Sequence, residues 1–173
     1  KQDQLVYERQ DHADWGFNGL VTDDGRYLII HVRKGTEERN RIYYKDLQSR
    51  GKVVELLNDF DAGYSFIGNQ GPLFWFRTDL EAPRGRLIQI DTRRPQRDQW
   101  VELVPETRNT LRSVSALNHS FVLSYLRDAH SYVEVRDLRG RKLRELDLPA
   151  IGSASGFGGR LEDQETFYHF SSY

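Results

Sequence analysis

A repeat of about 45 residues constrains this chain more than any other feature of its sequence. Asp46, Asp91 and Asp137 each end a run of β-forming residues, and they stand 45 and 46 residues apart. An earlier apolar run in each copy recurs at similar intervals. These runs begin at Tyr27, Leu73 and Phe121. A period of roughly 40 to 50 residues is typical of proteins that repeat one small structural unit.

Each copy is predicted to form four short strands, and residues 22–35 show the pattern of turn, strand and loop most clearly. The Asp-Asp-Gly sequence at 23–25 predicts a tight turn, and Tyr27 to Val32 is a continuous run of β-formers. A run of this kind predicts a strand buried on both faces, whereas the fourth runs alternate between apolar and polar residues, as half-exposed edges do. Four such strands make one blade of a β-propeller.

The sequence therefore predicts an all-β fold, a β-propeller segment of four-stranded antiparallel blades. Complete blades are expected at about 15–57, 64–104 and 111–148, with a half blade over 153–173 and the outer strand of a preceding blade over 5–8. About three and a half blades do not close a ring, and repeats rely on their neighbours to bury apolar faces. We expect the chain to be an excised piece of a larger propeller, which could self-associate through its open blade edges.

Composition excludes several classes of partner. Lys and Arg number 25 against 26 Asp and Glu, so a net charge of −1 gives no overall field toward nucleic acid or an anionic membrane. No run of about 18 apolar residues is present to span a bilayer. The absence of cysteine excludes disulfides and thiol chemistry, and the absence of methionine means that Lys1 is not an initiator.

No catalytic, metal or cofactor motif is complete. Gly152-Ser153-Ala154-Ser155-Gly156 has alanine where a nucleophile elbow needs serine, and the glycines that follow lack the third position of a dinucleotide fingerprint. The five histidines show no ligand spacing, and Asp23-Asp24-Gly25 lacks the later acidic positions of a calcium loop. We expect no cofactor and no metal, and a structural role in the strands for His31 and His169.

Three surface features have both a functional and a structural interpretation. The first is a pair of basic loops that could bind phosphate. Nearby acidic residues offset their charge, so a solvated face is the favoured interpretation. Asn118-His119-Ser120 fits a glycosylation sequon but also suits a hairpin turn. Arg33 could present its guanidinium to a carboxylate or a peptide carbonyl, although a surface ion pair is the favoured role. The basic loops contain Arg84, Arg86, Arg93, Arg94 and Arg97.

With the repeats in place, the sequence resembles the N-terminal propeller of the prolyl oligopeptidase family. The resemblance rests on Trp15 followed by residues 21–28, and on residues 32–35, 40–44 and 46–47. It continues through residues 87–91, 100–106 and 167–172. It covers almost the whole chain in order. It implies a seven-bladed propeller that caps an α/β-hydrolase domain with a Ser-Asp-His triad, which cuts short peptides after proline.

The resemblance places this chain in the middle-to-late blades of that cap. It implies that the chain holds no triad residue, that the hydrolase domain is absent from these residues, and that the chain is inactive alone. Its implied partners are the hydrolase domain of the same parent chain and short proline-containing peptides. A cytoplasmic location is expected, with the periplasm left open because a leader would lie outside these residues.

By resemblance, Arg33 and Thr36 lie on a loop that faces the substrate cavity, and Gly16 lies where some relatives carry a bulkier apolar residue. The implied role is size exclusion, in which the blades admit short peptides and keep folded proteins from the nucleophile. The alternative from another class is a propeller fragment that acts as a protein-interaction module. A hydrolase sequence after Tyr173 in the parent protein would favour the first hypothesis.

Overall fold

The computed structural model describes residues 5–172, which form antiparallel sheets of sequential strands. The first sheet has the order β1(Trp15–Val21), β2(Tyr27–Lys34), β3(Asn40–Asp46) and β4(Val54–Leu57). The second has the order β5(Tyr64–Gln70), β6(Leu73–Thr78), β7(Arg86–Asp91) and β8(Val101–Val104). The third has the order β9(Thr110–Leu117), β10(Ser120–Arg127), β11(His130–Asp137) and β12(Lys142–Glu145). A fourth sheet contains β13(Gly152–Gly156) and β14(Tyr168–Ser172).

This architecture confirms the predicted all-β fold class. Three sheets have four antiparallel strands in chain order and the fourth has two, while the helical content of residues 5–172 is one short 3₁₀ turn, Arg97–Gln99. The strands occupy 15–57, 64–104, 110–145 and 152–172. The assignment of these segments to blades as domain units stays a prediction. By its contacts the chain divides into two compact units, one up to Tyr64 and one from Ser65 onward.

Residues 5–8, where the sequence predicts the outer strand of a preceding blade, do not form a strand in this structure, and their pairing with such a blade stays a prediction. This segment has no regular secondary structure, and its backbone pairs with no strand among the described residues. Tyr7 instead packs its ring edge-on against Phe17 and Tyr43, with centroids 5.8 and 5.6 Å apart, and donates a hydrogen bond to Glu55 at 2.8 Å. Tyr7 therefore contacts the face of the first sheet, whereas Leu5 and Val6 are exposed.

Burial confirms the predicted roles of the second and fourth strands. In β2, Ile29 and Val32 are fully buried, and in β10 five consecutive residues from Phe121 are buried, as expected for strands covered on both faces. In β12 every residue is exposed, and β4 and β8 bury only their last residue. The exposed fourth strands carry charged residues, which protect sheet edges from pairing with other chains.

The three repeat-marking aspartates share one structural role. Each ends the third strand of its sheet, and each accepts a hydrogen bond from the backbone N–H two residues later. The three bonds join Asp46 to Gln48 at 2.9 Å, Asp91 to Arg93 at 3.0 Å, and Asp137 to Arg139 at 3.0 Å. An aspartate that bonds its own turn in this way fixes the chain reversal. The repeat in the sequence is thus a repeat of one turn.

Apolar side chains of the second unit pack on both faces of the third sheet. One core packs Trp75, Phe121 and Leu123, and the Trp75 and Phe121 rings meet edge to face with centroids 5.0 Å apart. The other packs Val122 and Val133 with side chains of the fourth sheet. Burial on both faces follows from the unbroken apolar sequence of β10.

Candidate functional site

Two of the three residues that the sequence analysis proposed for substrate contact lie side by side. Gly16 in β1 is the direct cross-strand partner of Arg33 in β2, so both occupy the same face of the first sheet. Thr36 follows in the turn after β2. All three are exposed. The structure therefore brings these three residues to one end of the first sheet, which we call the loop end.

Arg33 has a charged side chain for which residues 5–172 provide no hydrogen-bond or ion-pair partner. Three other arginines of the first unit form ion pairs: Arg9 with Asp11 at 2.9 Å, Arg26 with Asp46 at 3.1 Å, and Arg39 with Glu37 at 3.1 Å. Within residues 5–172, the Arg33 side chain has no hydrogen bond or ion pair. The surface ion pair favoured from sequence is therefore not found there. Its guanidinium retains all its donors for a carboxylate or a carbonyl oxygen.

His31 lies on the same face, two residues before Arg33 along β2. Burial lowers the pKa of its imidazole, and the positive charge of Arg33 lowers it further. Its cross-strand neighbours, Asn18 and Ile42, carry no charge. With a neutral imidazole at His31, Arg33 is the one cation that the described residues of β1 and β2 place on this face at neutral pH. The predicted structural role for His31 agrees with this partial burial, whereas His169 is exposed.

Gly16 leaves room beside Arg33. A Cβ atom placed on Gly16 would meet no atom within 4 Å, and the following residues of β1 are exposed. The strand begins at Trp15, which is held by several ring contacts. The guanidinium of Arg41 lies 4.4 Å from the centroid of Trp15 and 4.4 Å from that of Phe60, and the His12 ring stacks on Trp15 at 3.9 Å. These contacts fix the strand next to the open position.

Asn40 is the residue of this region that the sequence analysis missed. It is the first residue of β3 and the cross-strand partner of Arg33, and it is 8% exposed. Its amide donates to the Tyr64 carbonyl oxygen at 3.0 Å and accepts from the Tyr64 N–H at 2.6 Å. In the sequence, an asparagine beside a charged loop resembles an ordinary turn residue. No signal in the sequence therefore indicates that Asn40 is buried and bonds a distant backbone.

The other sequence candidates have structural roles. Asp24 accepts hydrogen bonds from the Thr22 hydroxyl and the Arg26 N–H, which closes the β1–β2 turn. The Gly-Ser-Ala-Ser-Gly sequence forms β13, and Asn118 has a positive φ of 47° in the β9–β10 turn. Among the basic loops, Arg93 pairs with Asp91 at 2.7 Å. This pairing agrees with the favoured solvated-face interpretation.

Residues 5–172 contain neither a cluster of metal-binding side chains nor a membrane-spanning helix. No group of three or more His, Asp or Glu side chains there is arranged to hold a metal ion. No helix in that range is both long and apolar enough to cross a lipid bilayer.

Repeated four-stranded antiparallel sheets in chain order define the class of protein as a β-propeller. A solved structure from a study of two prolyl endopeptidases and their inter-domain dynamics superposes on this chain with a TM-score of 0.89. It is 31% identical and covers 99% of this chain and 25% of its own. The apo structure of prolyl oligopeptidase B from Galerina marginata also gives a TM-score of 0.89, at 26% identity. That match covers 99% of this chain and 25% of the enzyme.

The family model for the prolyl oligopeptidase N-terminal beta-propeller domain matches residues 1–173. The chain therefore belongs to the prolyl oligopeptidase family, as part of its N-terminal propeller. Among curated relatives, the prolyl endopeptidase of Elizabethkingia miricola is 29% identical over 99% of this chain. The prolyl endopeptidase of Dictyostelium discoideum is 32% identical over 98% of it. The chain spans 24% of the length of each relative.

Proposed function

We propose that this chain is a noncatalytic part of the propeller cap of a proline-specific serine oligopeptidase. The observation that carries the proposal is the match of the whole chain to the propeller of enzymes named prolyl endopeptidases. In this proposal the catalytic α/β-hydrolase domain belongs to the same polypeptide, and this chain contributes no residue to bond cleavage.

The proposed role of the cap is to select substrates by size. The second strands of three sheets are buried on both faces, and this burial supports the proposal because separation of the sheets to admit a folded protein would expose their apolar cores. Short extended peptides would reach the nucleophile when the cap and the catalytic domain separate, and closure would then exclude water. A related oligopeptidase from Galerina marginata has been solved bound to a 35mer substrate, which supports peptides as the substrate class.

Substrate contact is proposed at the loop end of the first sheet. Arg33 offers a guanidinium that has no partner in the described part of the chain, residues 5–172. Thr36 offers a hydroxyl in the adjoining turn, and Gly16 leaves space for a substrate side chain. A hydroxyl nucleophile needs a general base beside it, and Arg33, Thr36 and Gly16 supply none. The contact would therefore bind the peptide without reacting with it. The expected effect of this contact is on substrate affinity.

Arg33→Ala in the full-length enzyme tests the contact. We expect the KM for a proline-containing octapeptide to rise by about tenfold, with kcat changed less than about twofold, because a group that binds ground state and transition state equally affects KM alone. Arg50→Ala removes an exposed arginine from the β3–β4 turn and is the matched control. An unchanged KM in Arg33→Ala would remove Arg33 from the proposed site.

A further inference from the structure

Asn40 carries out a task that backbone groups usually perform. Its side-chain amide donates to the Tyr64 carbonyl oxygen at 3.0 Å and accepts from the Tyr64 N–H at 2.6 Å, as a neighbouring strand would. Its own backbone N–H donates to the Ala62 carbonyl oxygen at 3.1 Å. Asn40 and Tyr64 are both buried, at 8% and 3% exposure. Three hydrogen bonds out of contact with water thus join the start of β3 to residues 62–64.

The position of Asn40 links these bonds to the candidate site. Asn40 is the cross-strand partner of Arg33, and the loop that carries Thr36 runs between them. Within that loop, one backbone hydrogen bond joins the Glu37 N–H to the Lys34 carbonyl oxygen, and the ion pair of Arg39 with Glu37 is exposed. Exposed pairs of this kind contribute little to rigidity. The buried anchor of the loop is therefore Asn40.

We propose that Asn40 is a positioning residue for the substrate contact at Arg33. The inference rests on the proposed function, because it needs Arg33 to contact peptide. Loss of the amide would remove two buried hydrogen bonds, one to the C=O and one from the N–H of Tyr64, and the start of β3 would shift as these contacts are lost. Arg33 would move with it, since the two residues face each other in one ladder. A displacement of about 1 Å is enough to weaken a directional contact severely.

The third sheet supplies a natural model for a conservative replacement. There Ser131 of β11 accepts from the Ala154 N–H at 2.9 Å and donates to the Ala154 carbonyl oxygen at 3.3 Å. One hydroxyl thus serves both backbone groups of a single residue, as the amide of Asn40 does. Asn40→Ser should therefore keep part of the anchoring, whereas Asn40→Ala should keep none.

The test measures KM and kcat for a proline-containing octapeptide in the full-length enzyme. The variants are Arg33→Ala, Asn40→Ala, Asn40→Ser and the double variant of Arg33→Ala with Asn40→Ala. We expect Asn40→Ala to raise KM about fivefold with kcat within about twofold, and Asn40→Ser to lie between it and the unmodified enzyme. The double variant should match Arg33→Ala alone, because a residue that acts through Arg33 adds nothing once Arg33 is gone.

Asn69→Ala is the matched control, since Asn69 also donates from its amide to a backbone oxygen, that of Gly71 in the β5–β6 turn. It should lower thermal stability without changing KM. A purely structural Asn40 would give KM effects that multiply in the double variant, which would overturn the inference, as would a normal KM in Asn40→Ala. If Arg33→Ala itself has a normal KM, the proposed contact fails, and the inference fails with it.

Discussion

The two ends of the sheets are built in different ways. One end carries the β3–β4, β7–β8 and β11–β12 turns, and we call it the turn end. There, three aspartates each accept a hydrogen bond from the backbone N–H two residues later. At the loop end, a different side chain in each complete sheet bonds the backbone of a residue in a following first strand. These pairs are Asn40 with Tyr64, Arg77 with Leu111, and Ser131 with Ala154.

The difference shows where the repeat is constrained and where it is free to vary. A turn that reverses the chain within a few residues needs one local solution, and aspartate supplies it in each sheet. A bond between residues more than twenty positions apart needs only a donor or acceptor of suitable reach, which amide, guanidinium and hydroxyl groups all provide. The loop end can therefore acquire binding residues, such as the proposed contact at Arg33, without loss of the fold.

The largest expected effect is at the turn end of the third sheet. Gly140 has a φ of +83°, and a Cβ atom placed there would lie 1.9 Å from the backbone oxygen of Leu103. Gly140→Ala should lower the free energy of unfolding by about 4 kcal/mol or more, because neither backbone segment can move aside cheaply. Gly71→Ala is the control, since Gly71 has a φ of +54° but open space, and should cost about 1 kcal/mol. Urea unfolding measures both, and equal losses would contradict the steric account.

A smaller effect is expected from the polar network on β11. The Tyr132 hydroxyl bonds Glu134 at 2.7 Å and accepts from Lys142 at 2.9 Å, and its pKa is raised to about 12, mainly by burial. Tyr132→Phe should lower the free energy of unfolding by about 2 kcal/mol, because buried Glu134 loses a donor. Tyr125→Phe removes a buried hydroxyl that has no partner among residues 5–172, and should cost nothing or stabilise by about 1 kcal/mol. A loss in Tyr125→Phe as large as that in Tyr132→Phe would contradict this assignment.

The anchor at the loop end of the third sheet should contribute less. Ser131→Ala leaves the N–H of Ala154, a residue that is 7% exposed, without its partner, and we expect a loss of about 1 to 2 kcal/mol in urea unfolding. Ser155→Ala changes an exposed serine of β13 and should stay within about 0.5 kcal/mol of the unmodified chain. Should the two serine variants unfold at the same urea concentration, the anchoring role of Ser131 would be wrong.

The smallest effect concerns pH at the turn end. Hydrogen bonds from Arg93 lower the pKa of Asp91 to about 2, against about 3.9 in an unfolded chain. A lowered pKa contributes stability that is present above pH 5 and is lost as pH falls toward 2. Asp91→Asn keeps the acceptor for the turn but loses the charge, so it should be less stable than the unmodified chain at pH 7, with the difference shrinking toward pH 2. Urea midpoints between pH 2 and pH 7 measure this, and a constant difference would contradict it.

Sequence reasoning succeeded where a local rule determines the structure. Recurrent aspartates and apolar runs identified the strands and the fold class, because turn chemistry and strand burial depend on neighbouring residues. At residues 5–8 it predicted a strand, whereas the segment has no regular secondary structure here and Tyr7 packs on a sheet face. It also missed Asn40, whose partner is 24 positions away. The proposed contacts at Gly16, Arg33 and Thr36 came from family resemblance, and the structure adds their proximity.

The central claim is that this chain forms part of a cap that admits peptides and excludes folded proteins. The direct measurement is kcat/KM of the full-length enzyme for one proline-containing octapeptide, free in solution and placed in a surface loop of a stably folded domain. We expect the enzyme to cleave the free peptide, and its kcat/KM for the same peptide within the folded domain to be at least about a hundredfold lower, because the domain cannot pass the cap. Equal values for the two substrates would contradict the account.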